Sequence, residues 1–230
     1  MSLKRYMTGF FAFFFLISAI SFLSPEITRE RTELPGITEI QPSPRVILDP
    51  GHGGQDGGAT GVGGVSEKDI NLEMALCLRD IFLLGGWQVT MTRDSDDDTD
   101  GRPGFNKKDD IHARADFAAT DPEALFLGVH MNASPASRDQ GFTAFYGTRN
   151  PDSLGIAEKI ASSVGNSGLT TRLRQTKASP DTVYIFRNVP NPSVLLEFGF
   201  VTNPDDCALL LRPEYRTGYS VTVFCGVTCP

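Results

Sequence analysis

Cysteine, histidine and tryptophan are scarce in this chain of 230 residues, which contains four, three and one of them, respectively. Four cysteines are too few for a fold held together by disulfide bonds, and their spacing does not match a zinc ribbon. Cys225 and Cys229 are interpreted as small apolar residues or an unpaired couple. The sequence also lacks the Gly-Lys-Ser/Thr and G-x-G-x-x-G motifs, which argues against a nucleotide site in its glycine-rich stretch, residues 51–64.

Positive charge is scarce as well, because lysine and arginine number 21 against 28 aspartate and glutamate residues, a net charge of −7. Residues 1–24 contain only two charges, Lys4 and Arg5, so the remainder carries 19 − 28 = −9. An acidic body of this kind argues against nucleic acid as a partner. The 40% hydrophobic content and the aperiodic glycines exclude a disordered or collagen-like chain.

The first 24 residues form a basic, apolar segment. Lys4 and Arg5 precede a charge-free stretch, residues 6–24, that holds six of the sixteen phenylalanines. As a helix, residues 6–23 would span ~27 Å, close to the ~30 Å of a membrane's hydrocarbon core, with the N-terminus in the cytoplasm. The small-x-small motif at residues 19–21 lies inside the apolar run, so we favour an uncleaved membrane anchor over a removed signal peptide. Either alternative places the rest of the chain outside the cytoplasm.

The segment that follows, residues 25–44, mixes charges with four prolines and shows no apolar period. Such a composition is typical of an extended linker. We therefore divide the chain into a signal peptide or membrane anchor (residues 1–24), a linker (25–44) and one folded domain (45–230).

Short apolar runs alternate with amphipathic stretches along this domain. The runs predict strands at residues 46–48, 87–92, 125–130, 141–146, 183–186 and 194–197. Helical periodicity and capping signals predict helices that begin near Ser66, Asp109, Asn150, Pro204 and Pro213. Strands that alternate with helices indicate an α/β fold: one domain with a twisted, mostly parallel sheet and helices on both faces.

Two histidines and two glutamates stand where a parallel sheet would gather them. His52 follows the first predicted strand in a glycine-rich turn, His130 ends the third strand, and Glu197 ends the last. The carboxyl ends of parallel strands share one edge, which is where α/β folds place their sites. Glu67 stands just before the first predicted helix, at the far end of the glycine-rich stretch from His52, and can fold back onto that edge. The third histidine, His112, is interpreted as a surface residue.

Two imidazoles and one carboxylate are the ligand set of a catalytic zinc ion, and a second carboxylate nearby would be the general base. Each residue also has an ordinary interpretation, as a core histidine or a helix-capping glutamate. A calcium loop is rejected, because Lys107 stands where the pattern begun at Asp96 needs a bidentate glutamate. Residues 94–100 are interpreted as a solvated loop.

Five separated motifs, in the expected order, resemble those of one enzyme family. They are residues 47–54 (ILDPGHGG), 66–72 (SEKDINL), 89–93 (VTMTR), 130–133 (HMNA) and 192–203 (PSVLLEFGFVTN). Over nearly the whole domain, the chain is similar to the zinc-dependent N-acetylmuramoyl-L-alanine amidases of the amidase-3 group. The departures are mild: residues 128–129 read Gly-Val where Ser-Ile is frequent, and residues 200–202 read Phe-Val-Thr where Phe-Leu-Ser is frequent.

The resemblance implies a twisted sheet of about six strands flanked by helices. It also implies one zinc ion per domain, held by His52, Glu67 and His130, with Glu197 as the catalytic glutamate. The implied substrate is peptidoglycan, cleaved at the amide between the lactyl group of N-acetylmuramic acid and the L-alanine of the stem peptide. Asn132 and Arg187 are candidates for contact with that substrate, and Arg187 could pair with stem-peptide carboxylates.

Within the family, the anchor, the short linker and the loop at residues 94–108 resemble the spore-cortex amidases, which prepare muramic-δ-lactam for germination. The expected location is the cell envelope, at the wall or in the forespore intermembrane space, with membrane contact through the N-terminal helix. An activating protein partner is a further expectation. The alternatives are a vegetative cell-separation amidase, a zinc peptidase of similar fold and a non-enzymatic activator, although the last would be expected to lack a ligand.

Overall fold

A six-stranded sheet organises the fold, which is described from a computed structural model for residues 42–102 and 104–229. The strands are β1 (Arg45–Pro50), β2 (Gln88–Met91), β3 (Leu125–Asn132), β4 (Thr143–Tyr146), β5 (Lys177–Ala178) and β6 (Ser193–Phe200). The helices are α1 (Glu67–Leu84), α2 (Lys107–Ala119), α3 (Asp152–Ser167), α4 (Tyr184–Asn188), α5 (Pro204–Leu210) and α6 (Pro213–Thr228), with a 3₁₀ turn at Val62–Gly64. From Ser43 onward the described residues belong to one compact unit.

The strand order across the sheet is β2-β1-β3-β6-β4-β5. The four neighbouring strands β2, β1, β3 and β6 run parallel to one another. Strand β4 runs antiparallel to β6 and pairs in parallel with β5. The predicted α/β domain with about six strands is confirmed, and one antiparallel pairing interrupts an otherwise parallel sheet. Three neighbouring strands, β1, β3 and β6, carry or precede His52, His130 and Glu197.

The sheet separates two hydrophobic cores, because successive residues of a strand point to opposite faces. In β1, Val46 and Leu48 belong to the larger core and Ile47 to the smaller one. In β3, Leu127 and Phe126 divide in the same way. Helices α1, α3 and α6 contribute to the larger core, and α2 and α4 to the smaller one. Both faces of the sheet are therefore covered by helices.

Two helix starts differ in detail from the sequence prediction. Ser66 stands at the N-cap of α1, but its hydroxyl donates to the carbonyl of Gly57 (2.8 Å) and makes no capping bond. Helix α2 begins two residues earlier than predicted, because the side chain of Asn106 accepts from the amides of Lys108 and Asp109 and caps the helix there.

The strand predicted at residues 183–186 is wrong, because this segment forms the short helix α4. Ile185 and Phe186 are both buried in the smaller core, whereas Tyr184 and Arg187 on either side are exposed. Two consecutive residues in the same core fit one face of a helical turn, whereas consecutive residues of a strand point to opposite faces of the sheet. The two-residue strand β5 and the 3₁₀ turn had no signal in the sequence.

Two predictions fall wholly or mostly outside the described residues. The apolar segment at residues 1–24 lies there, as does the linker up to residue 41. Within the part of the chain that the structure describes, no helix combines the length and the apolar character needed to cross a membrane.

The carboxylate of Asp206, in α5, joins three segments around the end of β6. Its Oδ2 accepts from the backbone amides of Gly141 (2.7 Å) and Phe200 (2.9 Å), and its Oδ1 accepts from the Thr171 hydroxyl (2.9 Å). Asp206 is 3% exposed, so water does not replace these bonds when they are lost.

Replacing Asp206 with alanine should lower the free energy of unfolding by about 3 kcal/mol, because two buried amides lose their acceptor at about 1–3 kcal/mol each. Urea denaturation of the purified chain measures the loss. Asp205→Ala is the matched control, since Asp205 is the exposed neighbour on the same helix turn, and it should cost less than about 1 kcal/mol. Equal losses in the two variants would contradict this account of Asp206.

Candidate metal centre and active site

The predicted site residues lie along three neighbouring parallel strands and at the start of α1. His52 follows β1, His130 lies in β3 and Glu197 in β6, and the last two are register partners on paired strands. Both strands continue beyond these residues, so the prediction that His130 and Glu197 end their strands is wrong. The register shifts between His130 and Asn132, an irregularity of the kind that re-aims side chains beside sites.

His52, Glu67 and His130 each offer one ligand atom to a group in which these atoms lie within 4.8 Å of one another. Oε1 of Glu67 lies 3.3 Å from His52 Nε2 and 3.2 Å from His130 Nδ1. The two imidazole rings are 5.1 Å apart, at an interplanar angle of 73°. The structure thus brings together the three residues that the family resemblance names as ligands.

Two glycines make room for this close approach. A Cβ on Gly51 would lie 2.0 Å from Nε2 and Cε1 of His130, so no larger residue fits against that ring. Gly58, with a φ of +67°, comes so close to Glu67 and His52 that a Cβ there would lie 2.7 Å and 2.8 Å from their atoms. The glycine-rich turn therefore serves to pack main chain against the two histidines and Glu67.

Three donors besides the histidines hold the carboxylate of Glu67. Oε2 accepts from the Ala59 amide (2.9 Å), and Oε1 accepts from the Met131 amide and from Nδ2 of Asn71 (3.3 Å each). Burial alone would raise the pKa of Glu67, but hydrogen bonds with the two histidines hold that pKa well below its ordinary range. Glu67 is therefore a carboxylate at neutral pH, the form that binds a cation.

Glu197 differs from Glu67 in its surroundings. Its Oε2 is buried and has no hydrogen-bond partner among the described residues. Burial, and then the negative charge of Glu67, raise the pKa of Glu197 to about 8. A buried carboxylate oxygen without a partner is costly, so this position is suited to a group that faces a cation or transfers a proton. Glu197 is not part of the three-residue ligand group.

Asp56 lies on the opposite side of the His52 ring from Glu67, and no sequence motif indicated that it belongs to the site. Its Oδ2 is 2.9 Å from His52 Nδ1 and 3.0 Å from Nζ of Lys107. Burial would raise the pKa of Asp56, but the bonds with His52 and Lys107 lower it to about 2. Burial would lower the pKa of His52, and Glu67 and Asp56 together raise it instead. The signal for Asp56 was its position four residues after His52 in the glycine-rich turn.

Two buried arginines hold the main chain at residues 50–52. Arg114 donates to the carbonyls of Pro50 (2.8 Å) and His52 (2.6 Å), and Arg93 donates to those of Pro50 (2.9 Å) and Gly51 (3.1 Å). His52 is the one non-glycine residue of the described chain with a positive φ, 62°. That conformation costs about 1–3 kcal/mol and persists only where its surroundings enforce it. The two guanidinium groups therefore fix the turn that aims His52.

The charge of Arg114 is balanced by two buried carboxylates. Its Nη1 lies 2.7 Å from Oδ1 of Asp49 and its Nε lies 2.8 Å from Oδ2 of Asp110. Burial would lower the pKa of Arg114, but Asp49 and Asp110 raise it. Each carboxylate accepts one more hydrogen bond: the Thr92 hydroxyl donates to the same Oδ1 of Asp49 (2.6 Å), and the Thr99 amide donates to Oδ1 of Asp110 (2.6 Å).

A cavity of about 280 Å³ adjoins the ligand group, and its lining includes His52, His130, Asp56, Lys107, Ile111 and residues 182–186. Arg187 and Asn132 are not among the described residues that line this cavity. Arg187 is exposed on α4, and Oδ1 of Asn132 accepts from the next amide, that of Ala133 (2.9 Å). The lysine in the lining, Lys107, has a side chain that is 59% exposed.

The cysteines, His112 and the loop at residues 94–100 were predicted to lie outside the active site. The four cysteines are free. His112 is partly buried rather than fully at the surface, and its ring stacks on Tyr184 at 4.5 Å. The loop at residues 94–100 is exposed at residues 94–97. Lys68 connects it to the glycine-rich turn through hydrogen bonds to Asp96 (2.7 Å) and to the Gly54 carbonyl (2.8 Å).

The donor set of the site fits zinc, because zinc takes imidazole nitrogens and carboxylate oxygens and often leaves one position open. The buried, unpartnered oxygen of Glu197 beside the ionised Glu67 agrees with a cation in this place. An α/β sheet that gathers two imidazoles and two carboxylates at one edge is typical of the metal-binding hydrolases.

Comparison with known proteins identifies the family. Residues 46–228 match the amidase-3 family, described as N-acetylmuramoyl-L-alanine amidase. The chain belongs to this family of peptidoglycan amidases. It is 33% identical over 186 residues to the germination-specific N-acetylmuramoyl-L-alanine amidase of Bacillus subtilis, an alignment covering 79% of this chain and 77% of that one.

Two further relatives show the range of the family. The chain is 31% identical over 173 residues to the N-acetylmuramoyl-L-alanine amidase LytC of Bacillus subtilis, covering 74% of this chain but 32% of that one. Its structure superposes with a TM-score of 0.72 and 28% identity on the CwlD amidase of Clostridioides difficile, solved in complex with the GerS lipoprotein. That superposition covers 80% of this chain and 96% of the other.

Replacing Arg114 with methionine should lower the free energy of unfolding by about 3–5 kcal/mol, because Asp49 and Asp110 would remain buried without their cation. The midpoint and slope of urea denaturation measure the change. Arg102→Met is the control, since the Arg102 side chain is 71% exposed and lies 3.9 Å from Asp109, and it should cost less than about 1 kcal/mol. An Arg114 variant as stable as this control would refute the structural role given to the ion pairs.

Proposed function

We propose that the chain is a zinc-dependent N-acetylmuramoyl-L-alanine amidase that cleaves the amide between the lactyl group of N-acetylmuramic acid and the L-alanine of the stem peptide. The observation that carries this proposal is the group of His52, Glu67 and His130, with Glu197 on the neighbouring strand, in a chain of this family. The four residues are those that the resemblance names, and none is substituted.

In this proposal, His52, Glu67 and His130 would hold one zinc ion. Zinc, when bound, supplies Lewis acidity that polarises the scissile carbonyl and makes water more acidic. Glu67 contributes the negative charge, and its fixed hydrogen bonds keep Oε1 between the two imidazoles. The glycine-rich turn keeps larger side chains away from the three ligands.

Glu197 is the proposed general base and acid. It accepts a proton from water as the oxygen attacks the lactyl carbonyl, and it delivers that proton to the nitrogen of L-alanine as the carbon–nitrogen bond breaks. Its raised pKa, about 8, favours a carboxyl group that holds and returns a proton near neutral pH. A cation beside it would favour the ionised form that begins the cycle.

The cavity beside the ligand group is the proposed site of the stem peptide. It adjoins both histidines, and α4 forms one wall. Arg187 is exposed on that helix and is proposed to pair with stem-peptide carboxylates. Asn132, two residues past His130 on β3, is proposed as a second contact with the substrate. A zinc peptidase of similar fold would act on the same polymer, but the family match favours the amidase.

The biological setting is proposed to be the spore cortex, with muramic-δ-lactam as the eventual product. The similarity to a germination-specific amidase over 77% of that protein's length supports this setting over vegetative cell separation. A lipoprotein partner is proposed because the similar CwlD amidase was solved with the GerS lipoprotein.

Residues 1–24 are proposed to anchor the domain (45–230) outside the cytoplasm through the linker (25–44). The apolar sequence of that segment, preceded by two basic residues, supports this proposal.

The variant Glu197→Gln should turn over purified peptidoglycan about 10²–10⁴-fold more slowly, because the proton acceptor is lost. Its zinc content should stay at one per chain. Alanine at position 52 should lower both turnover and zinc content. Metal analysis and mass spectrometry of the digest measure the two effects. The wild-type digest should contain stem peptides with a free L-alanine amine beside peptide-free lactyl groups.

Glu158→Gln, an exposed change on α3, is the control and should leave turnover unchanged. Wild-type turnover by the Glu197→Gln variant would contradict the proposed role of Glu197 as the general base. Absence of zinc from the wild-type chain, together with an unaltered metal content in His52→Ala, would remove the metal site. Shortened stem peptides in the digest would support the peptidase instead.

The spore role predicts a phenotype in the organism that carries the chain. Introducing Glu197→Gln into the chromosomal copy should remove muramic-δ-lactam from the cortex and leave vegetative cells separating normally, because the proposed substrate is cortex peptidoglycan. Muropeptide analysis of spores and microscopy of growing cells measure the two outcomes. Normal cortex with chains of unseparated cells would favour the vegetative alternative.

A further inference from the structure

The imidazole of His52 lies between two carboxylates, and this arrangement decides which nitrogen can bind a metal. Nδ1 is 2.9 Å from Oδ2 of Asp56, and Nε2 is 3.3 Å from Oε1 of Glu67. A neutral imidazole carries one N–H, and a carboxylate can only accept. The shorter contact places that N–H on Nδ1, which leaves the lone pair on Nε2, the nitrogen that faces Glu67.

The carboxylate of Asp56 is held in place by groups other than His52. Its Oδ1 accepts from the Gly58 amide (3.2 Å), and Lys107 lies 3.0 Å from Oδ2. The main chain of Asp56 exchanges two hydrogen bonds with Gly53, at 2.9 and 3.0 Å. With a side chain that is only 16% exposed, Asp56 is an acceptor in a fixed position rather than a mobile surface group.

We propose that Asp56 is a positioning residue for the metal centre: it fixes the tautomer and ring orientation of His52, and Lys107 restrains the Asp56 carboxylate. Asp56 is not a ligand, because it contacts Nδ1, on the far side of the ring, and lies outside the group of ligand atoms. The inference rests on the proposed zinc site. Carboxylates that accept from a ligating histidine also raise its basicity, and their loss weakens metal binding by about 10–100-fold.

His130 is held in a different way, which makes the inference specific to His52. Among the described residues, the hydrogen-bond partner of its Nδ1 is Glu67 (3.2 Å), and the main chain at Gly51 packs directly against its ring. Removing the Asp56 carboxylate should therefore free the His52 ring and leave the other two ligands in position.

The test compares zinc binding by the full chain and its Asp56→Ala, Asp56→Asn and Lys107→Ala variants, measured by competition with a chromophoric chelator. Asp56→Ala should bind zinc about 10–100-fold more weakly. Asp56→Asn should lose about threefold or more, because a neutral amide oxygen is the weaker acceptor. Lys107→Ala should lose less than Asp56→Ala, because the Gly58 amide still holds the carboxylate.

A second readout separates positioning from general loss of structure. The visible absorption bands of cobalt(II), bound in place of zinc, should shift in Asp56→Ala, and kcat should fall at saturating metal while KM changes little. Asp94→Asn is the matched control, an exposed aspartate of the neighbouring loop. It should match the wild type in zinc affinity and in the cobalt spectrum.

The outcomes distinguish this inference from the proposed function. A wild-type chain that binds no zinc would defeat the proposed function itself. Zinc binding by the wild type, with the same affinity and cobalt spectrum in Asp56→Ala, would overturn the role of Asp56 alone. If circular dichroism shows that Asp56→Ala does not fold, then Asp56→Asn decides, and wild-type zinc affinity in that variant overturns the inference.

Discussion

The bonds from Arg93 and Arg114 to the carbonyls of residues 50–52 are the interaction on which the site depends. These carbonyls lie at and just past the end of β1, where neighbouring strands provide few partners, and His52 takes a backbone conformation that a non-glycine residue rarely adopts. Guanidinium groups can satisfy several carbonyls at once in a fixed plane. Burying them requires counter-charges, and Asp49 and Asp110 supply these to Arg114.

Once the turn after β1 is fixed, the other site residues are placed by regular structure. The parallel register of β3 and β6 sets His130 opposite Glu197, and burial of both strands on two faces leaves little freedom to slip. Glu67 arrives as the first residue of α1, where its backbone amide bonds to the Ala59 carbonyl (3.0 Å) and its carboxylate to the Ala59 amide. The ligand group therefore joins one irregular turn to rigid elements, which favours a preformed site over one that assembles on binding.

The sequence predicts those parts of this arrangement that depend on local patterns. Apolar runs flanked by glycine and polar residues locate β1, β3 and β6, and with them His52, His130 and Glu197. The apolar pattern fails to predict secondary structure where tertiary contacts determine it. In α4, for example, Ile185 and Phe186 both pack into the smaller core. Asp56 was missed for a similar reason, because its position beside His52 depends on how the glycine-rich turn closes and on Lys107, fifty-one positions further along the chain.

Although the domain carries a surplus of negative charge, the buried or partly buried cations near the site already form bonds within the protein. Arg93 and Arg114 donate to main-chain carbonyls, and Lys68 bonds to Asp96 and to the Gly54 carbonyl. These groups build the site, so their charge is not available to attract a substrate. An acidic domain that acts on peptidoglycan must then rely on contacts at short range, because screening limits attraction between exposed charges to about 8–10 Å. Recognition by the proposed zinc ion and a few side chains around the cavity meets that requirement, whereas attraction by bulk charge does not.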